Sequence, residues 1–336
     1  MAHPAWLEEV LGTELPHEGV PVSLAGQDFV VRDGILRGSR LLSRAQAQTG
    51  ETFGFKWHQR ETFERPGWLA AVREWLINRY GDITAAPWFF EHGDSPLVLD
   101  AGCGAAMSAM ELFAPVLGRI RSLGVDVSPA VDVAAARFAE RGLSGGFMQA
   151  DLMNLPLAPG RFDLIFSEGV LHHTDSTEAG LKALVPLLRP GGRILFYVYR
   201  RKGPLREFTD DYIREKLQPM QPQDAWEALK PLTRLGIVLG DLNLKIDVPE
   251  AVDLLGIPAG AIDIQRLFYW HIFKAFYRPD CTFDEMHHIN FDWYTPKNAH
   301  RQTVEEVRVW CAEAGLDIER ESVEEAGIAM ICRRPA

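Results

Sequence analysis

Between residues 96 and 199, short apolar runs alternate with segments whose apolar residues recur at helical spacing. Each apolar run is rich in branched residues and is followed by a polar residue or a glycine. The predicted strands are PLVLDAG, IRSLGVDVS, GGFMQAD, RFDLIFSEG and GRILFYVYR. The predicted helices are AMSAMELFAPVL, AVDVAAARFAERG and TEAGLKALVPLL. This alternation predicts an α/β fold with a doubly wound, mostly parallel sheet.

The flanking sequence has other patterns. Before the core, the glycine-bounded GQDFVVRDGILRG predicts a small hairpin, and GWLAAVREWLINRYGD predicts a helix. After the core, FTDDYIREKL and AIDIQRLFYWHIFKAFY have helical patterns, and FDWYTPKNAHR is irregular and aromatic. Alternation resumes with the helix TVEEVRVWCAEAGL, with Thr303 as N-cap and Gly315 at its end, and with the strands DIERESV and GIAMICR.

These patterns divide the chain into four regions. They are an N-terminal flap (residues 1–66), an α/β core (67–200), a helical lid inserted into the core (201–301) and the C-terminal part of the core (302–336). Open α/β sheets bind ligands at the carboxyl ends of their strands, and we expect the lid to cover that edge.

The composition argues against several kinds of partner and site. The formal net charge of −11 argues against a nucleic-acid partner, because phosphate binding needs clustered Lys and Arg. The four cysteines are scattered and include no CxxC pair, so neither a zinc knuckle nor a disulfide framework is predicted. With no apolar stretch of membrane-spanning length and no signal-like start, we expect a cytoplasmic protein that binds no membrane.

Carboxylates stand at the ends of three successive predicted strands, at Asp100, Asp126 and Asp151. Any one of them alone could be an ordinary turn residue, but the ordered set suits the hydroxyls and amine of a nucleoside and would repel a pyrophosphate. The dehydrogenase fingerprint G-x-G-x-x-G also fails, because its third glycine would fall on Met107. Both observations argue against NAD as the cofactor.

At these motifs the sequence resembles the class I S-adenosylmethionine (SAM)-dependent methyltransferases, a seven-stranded doubly wound family. The resemblance spans about residues 96–200 and 302–333 and rests on VLDAGCG, GVDVS, QADLMNLPL, FDLIFSEGVLHH and LRPGGRILF. It implies SAM as the cofactor. In the first motif, Asp100 would orient the loop, and Gly102 and Gly104 would let the backbone approach the methionine part of SAM. Ala106 stands where the family usually has a third glycine.

The later motifs imply further contacts with SAM. Asp126, followed by Val127, would bind the ribose hydroxyls. Asp151 would lie near the adenine amino group, and the amide of Leu152 near a ring nitrogen. At the end of the fourth strand, the resemblance implies that Ser167, Glu168 and His173 line the methyl-transfer site.

The segment ETFGFKWHQRETF places Phe53, Phe55 and Trp57 at a period of two, with Lys56 and Arg60 nearby. We interpret it as a flap whose aromatic residues, including Trp57, cover the cofactor, because a sulfonium is attracted to aromatic faces. In this interpretation Arg60 pairs with the cofactor carboxylate. The alternative is a hydrophobic plug that joins the N-terminal segment to the core.

Methyl transfer from a sulfonium is an in-line displacement, so placement of the acceptor is the main requirement. When the acceptor carries a proton, His173 or His172 could act as a base; the alternative is that one of the pair is a buried turn histidine. Tyr294, with Phe291 and Trp293, is predicted to form the substrate wall or, alternatively, the lid core.

The spacing of the histidines in the predicted lid argues against a metal site. No HxH or HxxxH spacing occurs among His287, His288 and His300, and His271 lies on the preceding helical segment. We therefore predict no metal.

The sequence thus favours a SAM-dependent methyltransferase that acts on a small metabolite, with a homodimer as a possible assembly. Two alternatives remain open. The acceptor could be tRNA or a protein, which predicts binding that weakens steeply with salt. The protein could also bind SAM as a regulator without turnover.

Overall fold

The computed structural model describes residues 3–38 and 42–336. Its twelve strands in this part of the chain are β1 (Pro21–Leu24), β2 (Gln27–Arg32), β3 (Ile35–Gly38), β4 (Leu97–Ala101), β5 (Arg121–Asp126), β6 (Gly146–Gln149), β7 (Phe162–Glu168), β8 (Leu188–Tyr199), β9 (Lys245–Val248), β10 (Gly260–Asp263), β11 (Asp317–Val323) and β12 (Gly327–Arg333). The helices are α1 (Ala5–Leu11), α2 (Arg44–His58), α3 (Pro66–Tyr80), α4 (Met107–Leu112), α5 (Ala130–Glu140), α6 (Thr177–Leu184), α7 (Pro204–Leu217), α8 (Pro222–Asp241), α9 (Ile264–His271), α10 (Phe283–Tyr294) and α11 (Val304–Glu313).

The main sheet has the order β1-β2-β3-β6-β5-β4-β7-β8-β12-β11. Strands β3 to β8 run parallel in this sheet, whereas β12 pairs antiparallel with both β8 and β11. The α/β fold with a mostly parallel sheet is therefore confirmed. The expected count of seven strands is exceeded, because the N-terminal hairpin gains a third strand and joins the sheet through the parallel pairing of Leu36 with Met148.

Successive side chains of the central strands point to opposite faces of the sheet, and each face has its own helix layer. On one face, Val98 of β4 packs with residues of α3, α4 and α5. On the other face, Leu97 and Leu99 pack with residues of α1, α6 and α11. The two apolar layers hold the strand ends, and the loops that follow them, in fixed positions.

Two segments of the lid differ from the sequence-based expectation. The segment predicted as one long helix from Ala261 contains the end of a β9–β10 hairpin followed by α9, which ends at His271. The segment predicted as irregular begins inside α10, whose last four residues are Phe291–Tyr294. A capping box formed by Thr282 and Glu285 starts α10, and its buried face packs against α8.

Thr303 caps α11 as predicted: its Oγ1 accepts a hydrogen bond from the amide of Glu306, whose carboxylate accepts one from the amide of Thr303. We expect Thr303→Ala to lower the free energy of unfolding by about 1 kcal/mol, because one partly buried amide at the helix end loses its acceptor. Urea denaturation would measure this loss. Thr303→Ser, which keeps the hydroxyl, should retain most of the stability, and equal losses in the two variants would contradict a capping role.

In the part of the chain that the structure describes, no helix has both the length and the apolar character needed to span a membrane.

Candidate functional site

A cavity of about 580 Å³ lies at the carboxyl ends of the parallel strands, within the size range of small-molecule sites. The loops after β4, β5, β6 and β7 and the end of β8 form its floor, through residues that include Gly102, Asp126, Asp151, Glu168 and Tyr199. Helices α2, α3, α4, α9 and α10 and the loop between β11 and β12 contribute the remaining walls. Residues 201–301 therefore contribute walls to a cavity at the edge where the topology predicts ligand binding.

The loop after β4 leaves no room for a side chain at its two glycines. Gly102 has a φ of +84°, and a Cβ atom at this position would lie 2.2 Å from Cγ1 of Val170. Gly104 has a φ of +50°, and a Cβ there would lie 2.7 Å from Nε1 of Trp57. Ala106, at the position of the missing third glycine, also has a positive φ of 56°. The loop keeps its left-handed turns although one of them now carries a side chain.

Asp126 ties this loop to the next strand. Its Oδ2 accepts a hydrogen bond from the amide of Gly104 at 2.8 Å, and its Oδ1 accepts from the amide of Ser128 at 2.8 Å. Burial raises the pKa of Asp126, and burial together with the charge of Asp126 raises the pKa of Asp100 to about 8. Asp126 lines the cavity, whereas Asp100 lies behind it in the buried strand.

Val127 and the predicted adenine-binding residues Asp151 and Leu152 all line the same cavity. Asp151 caps a short turn by accepting a hydrogen bond from the amide of Met153 at 2.8 Å. Ser167 is placed elsewhere: it is fully buried and donates its hydroxyl proton to the carbonyl of Ala101, so it braces β7 against β4.

The aromatic segment predicted as a flap is a helix, so its aromatic residues two positions apart lie on different faces. In α2, Phe53 and Trp57 are four residues apart and share one face, so both line the cavity. Phe55 lies on another face and packs against Trp226 and Phe291. The flap and the plug interpretations therefore each describe one face of the same helix.

Arg60 is not positioned for the predicted pairing with a cofactor carboxylate. It lies just beyond α2 and forms ion pairs with Glu64 and Glu140, each at 2.7 Å. Because these two carboxylates already neutralise its charge outside the cavity, the prediction for Arg60 is wrong.

Glu168 and His173 face the cavity from the end of β7 and the turn that follows it. Glu168 is ion-paired with Arg79 and accepts a hydrogen bond from the hydroxyl of Tyr80 at 2.5 Å. The His173 Nδ1 lies 2.6 Å from the carbonyl oxygen of Asn298, which can only accept, so Nδ1 carries the proton and Nε2 keeps a lone pair. Burial lowers the pKa of His173 to about 4, so the ring is neutral at pH 7.

His172 and Tyr294 do not reach the site. His172 is fully buried against the ring of Tyr199, with a centroid distance of 3.7 Å, which matches the alternative of a packed turn histidine. The hydroxyl of Tyr294 donates to the buried carboxylate of Asp210 at 2.7 Å. Tyr294 is thus part of the lid core, which was the alternative to a substrate wall.

The lid histidines have separate partners. His287 contacts Thr233 through Nδ1 and the carbonyl of Trp226 through Nε2, and His288 contacts Thr62. Across residues 3–38 and 42–336, no three His, Cys, Asp or Glu side chains are grouped as metal ligands would be.

Three charged residues at the cavity were not singled out as site residues in the sequence. Lys56 of α2 donates to Oδ2 of Asp292 in α10 at 2.7 Å, and Nζ of Lys274 lies 3.9 Å from Oδ1 of the same carboxylate. All three line the cavity, and both lysines are more than nine-tenths buried. Lys56 follows the cavity-facing Phe53 by one turn of helix, but nothing in the sequence pairs it with Asp292.

Comparison with known proteins relates the core to methyltransferases. Residues 99–196, which include most of β4, all of β5 to β7 and most of β8, match the family model described as a methyltransferase domain. The match lies within the α/β core and supports its resemblance to the class I SAM-dependent methyltransferases. SAM is the cofactor of that family, and the strand-end carboxylates and the glycine-rich loop of this chain are suitable contacts for it.

The relatives of this methyltransferase core differ in their acceptors. The probable tRNA methyltransferase 9B of Bos taurus is 30% identical over 122 residues, which cover 35% of this chain and 24% of the relative. The malonyl-[acyl-carrier protein] O-methyltransferase of Enterobacter lignolyticus is 33% identical over 102 residues, covering 30% of this chain and 37% of the relative. The chain thus spans only about a quarter to two fifths of these relatives.

Among solved structures, the 1,6-didemethyltoxoflavin-N1-methyltransferase of Burkholderia thailandensis is 15% identical. It aligns with 94% of this chain and 99% of its own, with a TM-score of 0.44.

Proposed function

We propose that this methyltransferase transfers the methyl group of SAM to a small acceptor molecule held between the core and the lid. The observation that carries this proposal is the acceptor side of the cavity, near the end of β8. Aromatic side chains from the core and the lid line it: Trp75, Tyr197, Tyr199, Tyr269, Trp270 and Phe276. An enclosed aromatic site buries a planar molecule on both of its faces, whereas a nucleic-acid acceptor also needs basic surface for its phosphates.

In this proposal SAM supplies the electrophilic methyl group, and the residues of this chain position the acceptor. Nε2 of His173 is the hydrogen-bond acceptor for the proton of the reacting hydroxyl or amine. Because the pKa of His173 is about 4, the ring is a weak base, and its main contribution is orientation rather than proton removal. The buried walls exclude water from the sulfonium.

We expect His173→Ala to lower kcat by about tenfold, the effect of losing one orienting hydrogen bond, while the affinity for SAM stays unchanged. Steady-state methyl transfer and calorimetric SAM titration would measure the two quantities. A parallel loss of SAM affinity would show that His173 supports the cofactor site instead. His300→Ala, which removes a histidine outside this cavity, is the matched control.

tRNA is the second candidate acceptor, favoured by the match to tRNA methyltransferase 9B. The deciding experiment incubates the protein with radiolabelled SAM and either bulk tRNA or a library of phenols, amines and carboxylic acids. Transfer to small molecules that persists as salt is raised supports the proposal. Labelling of tRNA, with binding that falls steeply as salt is raised, contradicts it, and SAM binding without transfer to either indicates a regulatory protein.

A further inference from the structure

Lys274 presents a buried charge to the cavity. It lies in the lid between α9 and α10, and its Nζ lies 4.7 Å from the ring centroid of Trp293. No hydrogen-bond acceptor for Nζ occurs among residues 3–38 and 42–336; its nearest carboxylate oxygen, in Asp292, is 3.9 Å away. Burial lowers the pKa of Lys274 to about 8, so the amine is still mostly protonated at pH 7.

The carboxylate of Asp292 is shared by the ammonium groups of Lys56 and Lys274. Its short contact is with Lys56 at 2.7 Å, and its contact with Lys274 is longer. The cluster of two lysines and one aspartate therefore carries one positive charge more than it can neutralise. An unpaired charge in a low-dielectric site is costly unless a counter-ion binds there.

Lys274 lies on the acceptor side of the cavity. The ring of Trp293, beside its ammonium, packs against Tyr199 at the end of β8 with a centroid distance of 4.5 Å. The predicted cofactor contacts follow β4, β5 and β6, on the other half of the sheet edge. His173, which offers Nε2 to the acceptor, packs against the same Tyr199.

We propose that Lys274 binds a carboxylate of the acceptor, which makes the substrate an aromatic carboxylic acid with a hydroxyl or amine as the methylated group. This inference rests on the proposed function above. A carboxylate matches the cluster because it brings the single negative charge that neutralises it, whereas a dianionic phosphate would leave one negative charge buried. The aromatic walls hold the ring, and Lys274 fixes its orientation relative to His173.

A carboxylate at this site could come from the acceptor or from the methionine part of SAM. Two ligands separate these sources, because S-adenosylhomocysteine carries the amino-acid carboxylate and 5′-methylthioadenosine lacks it. We expect Lys274→Met to leave the affinities for both unchanged. A loss of affinity for S-adenosylhomocysteine alone would place the cofactor carboxylate on Lys274 and overturn the proposal.

The main test is calorimetric titration of the protein, loaded with S-adenosylhomocysteine, with hydroxy- and aminobenzoates and naphthoates and with their neutral carboxamides. The acids are expected to bind at least about tenfold more tightly than their amides, because an ammonium strengthens binding to a charged acceptor. Lys274→Met should remove that preference, and Lys245→Met, on the exposed edge of the lid hairpin, should retain it.

Three results would each overturn the proposal. They are equal binding of acids and amides to the natural protein, a preference for acids that survives in Lys274→Met, and the absence of binding by every acid in the series. Methyl transfer to neutral phenols or amines in the same preparations would show that only the carboxylate inference is wrong. Methyl transfer to tRNA alone would instead show that the proposed small-molecule function has failed.

Discussion

Gly102→Ala is expected to abolish measurable SAM binding and to lower the free energy of unfolding by about 3 kcal/mol. The new Cβ would overlap the side chain of Val170 at 2.2 Å, and the residue would have to keep a φ of +84°. Overpacking and a left-handed backbone each cost about 1 to 3 kcal/mol. Relief of the overlap would move the loop toward the cavity that Gly102 lines, where the cofactor has to fit.

Calorimetric titration with SAM and urea denaturation would measure the two effects of Gly102→Ala separately. Gly118→Ala is the matched control, because a Cβ at Gly118 meets no atom within 4 Å and the residue is exposed. It should change neither SAM affinity nor stability appreciably. Retention of full SAM affinity in Gly102→Ala would mean that the cofactor does not depend on the shape of this loop.

Asp126→Ala is expected to weaken SAM binding at least about 100-fold. The substitution removes the carboxylate predicted to bind the ribose hydroxyls, and it also removes the acceptor that holds the amide of Gly104. Hydrogen bonds to a charged group contribute about 1.5 to 3 kcal/mol each, and about 2.7 kcal/mol corresponds to 100-fold in affinity. The fold should persist, because Asp126 ends its strand at the cavity rather than in the apolar layers.

Two controls separate the ribose contact from the support of the loop. Ser128→Ala removes a hydroxyl that donates to Oδ1 of Asp126 and accepts from the amide of Ala130, but it keeps the carboxylate, so SAM affinity should fall much less. Asp247→Ala, on the exposed hairpin of the lid, removes one negative charge away from the site and should have no effect. Unchanged affinity in Asp126→Ala would show that another residue binds the ribose.

The alternation of strands and helices from residue 96 to 199 could be predicted because it depends on residues that are close together in the sequence. Each core strand is short, apolar and followed by a turn, so periodicity and turn residues agree. The last elements of the sequence could also be predicted from local patterns. The predicted Thr303 cap forms, and both final strands match their predicted bounds. These elements place the glycine-rich loop and the strand-end carboxylates.

The parts that could not be predicted depend on contacts between distant residues. Lys56 and Asp292 are 236 residues apart in sequence, and only the packing of α2 against α10 brings them together. Arg60 lies near the site in sequence, but Glu140, 80 residues away, holds it outside. The period of two of the aromatic residues in α2 did not show which of them face the cavity, because the faces of the segment follow from its helical conformation.

Helix α2 contacts both halves of the molecule. On the core side, Gly50 and Gly54 allow close approach to Val127 and Pro129, whereas on the lid side the hydroxyl of Thr49 accepts a hydrogen bond from the amide of Asn298 at 3.1 Å. A single rigid element is therefore shared by the cofactor and acceptor compartments. We therefore expect any displacement of this helix to change both compartments together, so that the exchange of cofactor and the release of methylated product would be coupled.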